Sequence, residues 1–148
     1  MYKHLLVPTD GTRLSGRAVR AAIEMARANR AGLTFLHVSP EYPNPVYLES
    51  AVLAAQISPD QFRLLSGRHA EKVLSKAAAE AGAAGLAPST AHEISGSTYE
   101  AIVRIAAKRK CDLIVMASHG RRGIAGLLLG SETRKVLTHA KLPVLVIH

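Results

Sequence analysis

The chain of 148 residues has no tryptophan, two phenylalanines and four tyrosines. So little aromatic surface leaves few platforms on which bases could stack, and no recognition motif is visible, so nucleic acid is not the expected partner. One cysteine, Cys111, cannot close an intrachain disulfide. The first residues, MYKHLLVPTD, carry a short apolar run that meets Pro8 and Asp10 at once and do not read as a signal peptide, so a cytoplasmic protein is expected. No uncharged apolar stretch reaches the roughly 18 residues a spanning helix needs, so no membrane segment is expected. Acids are scarce, 11 against 19 lysines and arginines, and the formal charge of +8 favours anionic partners without choosing among them. The basic residues are scattered over several segments, as on ordinary solvated faces.

Several catalytic and cofactor signatures are also missing. There is no G-x-x-x-x-G-K-[ST], which excludes a P-loop, and no G-x-G-x-x-G after the first apolar run, which leaves a dinucleotide site unsupported. The seven histidines, His4, His37, His69, His92, His119, His139 and His148, include no pair at the i, i+4 spacing of a helical metal site. No serine-histidine-acid arrangement can be argued, and Asp10 and Glu132 are the two acids expected near a cleft. Slow hydrolysis of a bound nucleotide is the most the residues allow. Cys111 reads as a small apolar residue at the start of a strand; the alternative is a redox thiol activated by Lys108, Arg109 and Lys110.

What remains is periodicity. Residues 4–10 form a buried strand ending in a turn. Leu14, Ala18, Ala21, Ala22, Met25 and Ala26 mark one helical face over 14–30. Residues 32–39 are β-branched and aromatic-rich, a second strand. Residues 39–58 hold Pro40, Pro43 and Pro45; twenty residues is long for a connection and suggests either a functional flap or disorder, with 48–56 as a short helix. A helix follows over 59–81, with Phe62, Leu65, Val73, Leu74, Ala77 and Ala78 as its apolar positions and Gly82 and Gly85 as its stop. Then come a strand in 88–97, a helix over 99–110 capped by Ser97 or Thr98, a wholly apolar strand over 111–118, a helix over 131–141 with Val136, Leu137 and Ala140 inward, and a last strand over 142–148. Strands alternating with helices predict a single α/β domain over 1–148. It is an open parallel five-stranded sheet with helices on both faces, a Rossmann-like three-layer sandwich. Ligands of such sheets bind beyond the carboxyl ends of the strands, where the strand order reverses.

The stretch ASHGRRGIAGLLLGS, residues 117–131, follows a strand and opens a helix. It has four glycines, two adjacent arginines and no acid. Glycine lets main-chain N–H groups approach a ligand, and a helix N-terminus adds donors and partial positive charge, a combination that suits phosphate. Ser131 can cap the helix and donate its hydroxyl, and Arg121 and Arg122 add charge. His119 reads equally as a phosphate contact or as packing at the strand end. The plainer alternative is a flexible glycine turn with a serine cap.

This stretch resembles the signature of the universal stress protein family, G-x2-G-x9-G-[ST], here Ala117-x2-Gly120-x9-Gly130-Ser131. The flanking DLIVMAS, HGRRG and KLPVLVI, the opening LLVPTDGT and the FLHV of residues 35–38 are similar to that family too. The resemblance implies strand order 3-2-1-4-5, a homodimer, here through edge strand 143–147, and binding of ATP, ADP or AMP with Mg²⁺ or Mn²⁺ as a regulatory ligand in stress response. By position, Pro8, Thr9 and Asp10 would border base and ribose, with Asp10 near the metal. Val38 would offer its backbone to adenine, and Met116 and Ala117 would line base and ribose. Gly120, Arg121, Gly130, Ser131 and Glu132 would hold phosphates. Two departures stand out: Ala117 replaces the first signature glycine, so that its methyl could crowd the ribose, and the Glu132 carboxylate would repel phosphate unless it turns away or shares a metal. A branch of the family binds no nucleotide, so a nucleotide-free dimeric interaction module is the alternative.

Overall fold

The structure, a computed structural model, describes residues 1–43, 57–119 and 128–148. Its elements are β1 (His4–Pro8), α1 (Arg13–Asn29), β2 (Gly32–Ser39), α2 (Pro59–Ala83), β3 (Ser89–Ile94), α3 (Thr98–Lys108), β4 (Leu113–Ala117), α4 (Ser131–His139) and β5 (Val144–Ile147). The five strands form one sheet in the order β3-β2-β1-β4-β5, and every neighbouring pair is parallel. The expected short helix at 48–56, and most of the proline-rich connection, lie outside the described residues.

Alternation of side chains along the strands sorts the core into two layers. Leu5, Val7, Leu33, Phe35, Leu113, Val115 and Ala117 face Ala18, Val19, Ala22, Ile23 and Ala26 of α1 and Leu74, Ala77 and Ala81 of α2. Leu6, Leu36, Ile114 and Met116 face Ile102, Ile105 and Ala106 of α3 and Val136 of α4. β4 is covered on both faces and buries all five residues, which is why it reads as a continuous apolar run. β3 sits at one edge and is largely exposed, and β5 sits at the other, half-buried.

Several boundaries move from the sequence expectation, each for a local reason. α2 runs through Gly82 to Ala83, and the chain turns instead at Gly85, whose φ of +81° is the left-handed conformation glycine adopts freely. α2 is 25 residues long, about 37 Å, against about 26 Å for the eight residues of β2. Its buried positions therefore begin only at Ala70, and Leu65, expected in the core, is 54% exposed. On α1 the buried stripe is Ser15, Ala18, Val19, Ala22, Ile23 and Ala26, one row displaced from the predicted face; Leu14, Ala21 and Met25 flank it. α4 stops at His139, and Leu137 faces outward at 42% exposure while Val136 is buried. β4 begins at Leu113, because Asp112 before it uses its carboxylate to accept the N–H groups of Lys3 (2.8 Å) and His4 (2.9 Å). That clasp holds the start of β1 to the start of β4.

Candidate ligand cleft at the strand ends

β1 connects to β2 on one side, while its other neighbour, β4, continues to β5, so the winding changes direction between β1 and β4. The carboxyl ends of these two strands part there and leave a crevice. Pro8, Thr9 and Asp10 line one side of it. Met116 through His119 and the start of α4 stand on the β4 side, and Val38 is the penultimate residue of the adjacent β2. Most of the residues expected at a ligand site thus come to one edge of the sheet. Gly120, Arg121 and Arg122 lie outside the described residues.

The segment between β4 and α4 is pinned at its base. The Gly130 N–H donates to the Ser118 carbonyl at 2.8 Å, and the Thr133 hydroxyl donates to the Ala117 carbonyl at 3.0 Å. The Ser118 N–H in turn donates to Ile147 at 2.8 Å, fastening the end of β4 to β5. Gly130 makes a close approach. A Cβ built there would lie 3.0 Å from both Cα and Cβ of His119, while its own φ of −59° is open to any residue. Gly130, not Ser131, is the N-cap of α4; Ser131 is the first helical residue and makes no side-chain cap. The sequence expectation of a serine cap is corrected accordingly. The first turn of α4 has no side-chain cap from Gly130 or Ser131.

The two departures from the glycine signature acquire positions. The Ala117 methyl belongs to the core layer beneath α1, the opposite face of the sheet from α4, and the residue is 7% exposed. Glu132 turns its carboxylate away from the loop: Oε2 accepts the Tyr99 N–H at 2.9 Å and Oε1 accepts Lys135 Nζ at 3.2 Å. Ser97, the N-cap of α3, makes no side-chain cap bond, so the Glu132 carboxylate serves the open first turn of α3 from a neighbouring helix.

On the β1 side, the Asp10 carboxylate accepts the Thr12 N–H at 3.0 Å and the Thr12 hydroxyl at 2.6 Å. Thr12 caps α1 by accepting the Ser15 N–H. Gly11, between them, has φ +79°, and a Cβ there would come within 2.8 Å of Val73 Cγ2. Asp10 is therefore a turn-former just past the carboxyl end of β1. Thr9 is buried; its hydroxyl meets Ser15 Oγ at 3.1 Å and its carbonyl accepts from His37 Nδ1 at 2.9 Å, so its polar groups are committed to the fold. Among the described residues no cluster of three or more histidine, cysteine, aspartate or glutamate side chains could hold a metal ion. Burial pushes the Cys111 thiol up to about 11 and outweighs nearby Arg109, so the small apolar reading holds and the redox reading does not.

Sequence reasoning missed Thr133, Ser118 and His37. Thr133 had a usable signal: it shares the apolar stripe of α4 with Val136, three residues on, and a lone hydroxyl on such a stripe must find a buried acceptor. His37 shows only as a polar residue inside an apolar strand, and its partner is a main-chain carbonyl that no sequence pattern names.

A parallel sheet of this order, with helices on both faces, defines a three-layer α/β class. The sequence model of the universal stress protein family matches residues 1–148, and the chain belongs to that family. A universal stress protein of Thermus aquaticus is 33% identical over 150 residues, covering 99% of each chain. Among solved structures, UspA of Lactobacillus plantarum superimposes with a TM-score of 0.77 at 28% identity, covering 99% of this chain and 98% of that one. A universal stress protein in complex with cAMP superimposes at 0.72 with 30% identity, covering 99% and 97%.

Proposed function

We propose that the crevice between β1 and β4 binds an adenine nucleotide, ATP or its mono- or diphosphate, and that occupancy serves as a regulatory signal in a stress response. The observation that carries this reading is the pinned junction of β4 and α4, in which Gly130 brings the helix N-terminus against Ser118–His119 at the switch point. Main-chain amides of Ser131 and Glu132 then hold phosphate beside the Gly130–Ser118 hydrogen bond, with Arg121 and Arg122 adding charge. Val38 and Met116 flank the base, and Pro8 and Asp10 the ribose. The inward methyl of Ala117 removes the steric objection that its sequence position raises. That a relative 30% identical was solved with cAMP supports the adenine preference. A divalent ion, Mg²⁺ or Mn²⁺, would be carried by the phosphates, with Asp10, just past the end of β1, as the carboxylate near it. Two copies would pair along 143–147, the half-buried edge strand β5.

Mass spectrometry of small molecules released on denaturing the purified protein tests the reading, together with calorimetric titration of ATP and AMP. A co-purifying adenine nucleotide, or a dissociation constant below about 100 μM, is expected. An empty protein that takes up neither nucleotide at millimolar concentration would instead favour the nucleotide-free module.

A further inference from the structure

A groove of about 450 Å³ runs between α1 and α2, on the outer side of the layer that covers β1 and β2. Thr9, Gly11 and Thr12, just past the carboxyl end of β1, also line it. Arg13 and Arg20 stand on the α1 wall, and Lys72 and Lys76 on the α2 wall. None of the four takes part in the ion pairs of the described residues, which are Arg63–Asp60, Arg104–Glu93 and Lys135–Glu132. The floor is apolar, formed by Val19, Val73 and Ala77. Gly16 leaves a gap in the α1 wall, and the Arg20 guanidinium leans over it: a Cβ on Gly16 would lie 3.5 Å from Arg20 Nη1. A glycine inside a helix costs about 1 kcal/mol relative to alanine, and here its missing side chain widens the groove.

We propose that this groove is a second anion site, taking a small molecule that carries at least two phosphoryl groups. A single ligand neutralises the cations of both walls at once only if it spans the groove, so one isolated anionic group would serve only part of them. Arginine offers a planar fork and lysine a point charge, and phosphate oxygens accept both. Arg13 and Arg20 lie about 10 Å apart along the helix, and Lys72 and Lys76 about 6 Å, lengths that a short phosphate chain or a compact bisphosphate covers. The volume falls in the range of small-molecule pockets. Glu80, one turn beyond Lys76 on α2, ends the cationic stretch and opposes a polyanion that continues past it, such as a nucleic-acid strand. The site is independent of nucleotide binding in the crevice.

Sodium tripolyphosphate, titrated into the ¹⁵N-labelled full chain at near-physiological salt, tests the proposal. Amide shifts are expected at Gly16, Arg20, Val73 and Ala77, and they should persist with excess AMP present. The variant Lys72→Gln/Lys76→Gln should bind at least tenfold more weakly. The control Lys108→Gln/Lys141→Gln, with the same net charge and both lysines exposed, should stay within twofold of the parent. Circular dichroism of both variants checks that they fold, and Arg20→Gln provides a second, single-site reading of the α1 wall. Equal weakening in both double variants would mean diffuse charge and overturn the proposal. So would shifts confined to residues 130–133, displacement by AMP, absence of binding, or tighter binding of a single-stranded oligonucleotide to the same residues.

Discussion

At Gly130 one missing methyl group decides whether a strand and a helix can meet. An added Cβ would press on the His119 main chain at 3.0 Å, so even Gly130→Ala should lower stability by about 1–2 kcal/mol and weaken AMP binding at the same time. Thermal melts and calorimetry read the two effects separately; an unchanged melting temperature would show that the junction relaxes freely. A long side chain such as lysine there would disturb the fold as well as block phosphate, so it does not isolate the site. Cys111 makes a contrasting case. With its thiol pushed up to about 11, its thiolate fraction at pH 8 is about two orders of magnitude below that of a free cysteine. Reaction with a disulfide reagent should be at least that much slower in the native protein than in urea. Both residues show what the sequence can reveal. The glycine was legible as a place where backbone approaches something, but not that the something is His119. The cysteine's basic neighbours suggested activation, and burial, which no short-range pattern reports, reversed it.

Among the secondary-structure elements, the strands were the most legible and the long helices the least. A buried parallel strand such as β4 announces itself as an unbroken apolar run. α1 offers more alanines than its buried stripe needs, so the row that faces the sheet could not be chosen until Val19 and Ile23 were seen packed inward. α2 outgrows the sheet, and apolar side chains on its first turns, Leu64 and Leu65, remain outside although their spacing fits a core face. The partnership of α3 with α4 through Glu132 joins residues 33 positions apart, and it resolves why an acid can stand beside an expected phosphate loop. Glu132→Ala should leave the Tyr99 N–H without its acceptor, speed its hydrogen exchange and cost about 1 kcal/mol. Glu132→Gln should recover much of the exchange protection, because the amide oxygen can still accept. If the alanine variant exchanges at the parent rate, the inter-helix cap contributes nothing.

For the molecule as a whole, the resemblance that runs along the entire chain implied the strand order, and the structure bears it out, because the order follows from short connections and two covered faces. The Asp112 clasp gives that sheet an acid dependence. Burial pushes this carboxyl up, but the main-chain N–H groups of His4 and Lys3, followed by its own, outweigh burial and hold it below the ordinary value. A carboxyl depressed in the folded state stabilises fully above its unfolded value, about 3.9, and the contribution is lost as pH falls through the lower folded value. Denaturant melts of the parent and Asp112→Asn should therefore differ at pH 6 and converge toward pH 2.5; a constant gap would place the effect in packing instead.

The clamp of Ser118 by Gly130 and of Ala117 by Thr133 fastens the end of β4 directly to the start of α4. Chain spliced in between those posts need not tug on either β4 or α4. That makes this stretch the natural place to insert a fluorophore-bearing peptide or a foreign epitope, and to vary ligand preference by exchanging a cassette while the scaffold stays as it is.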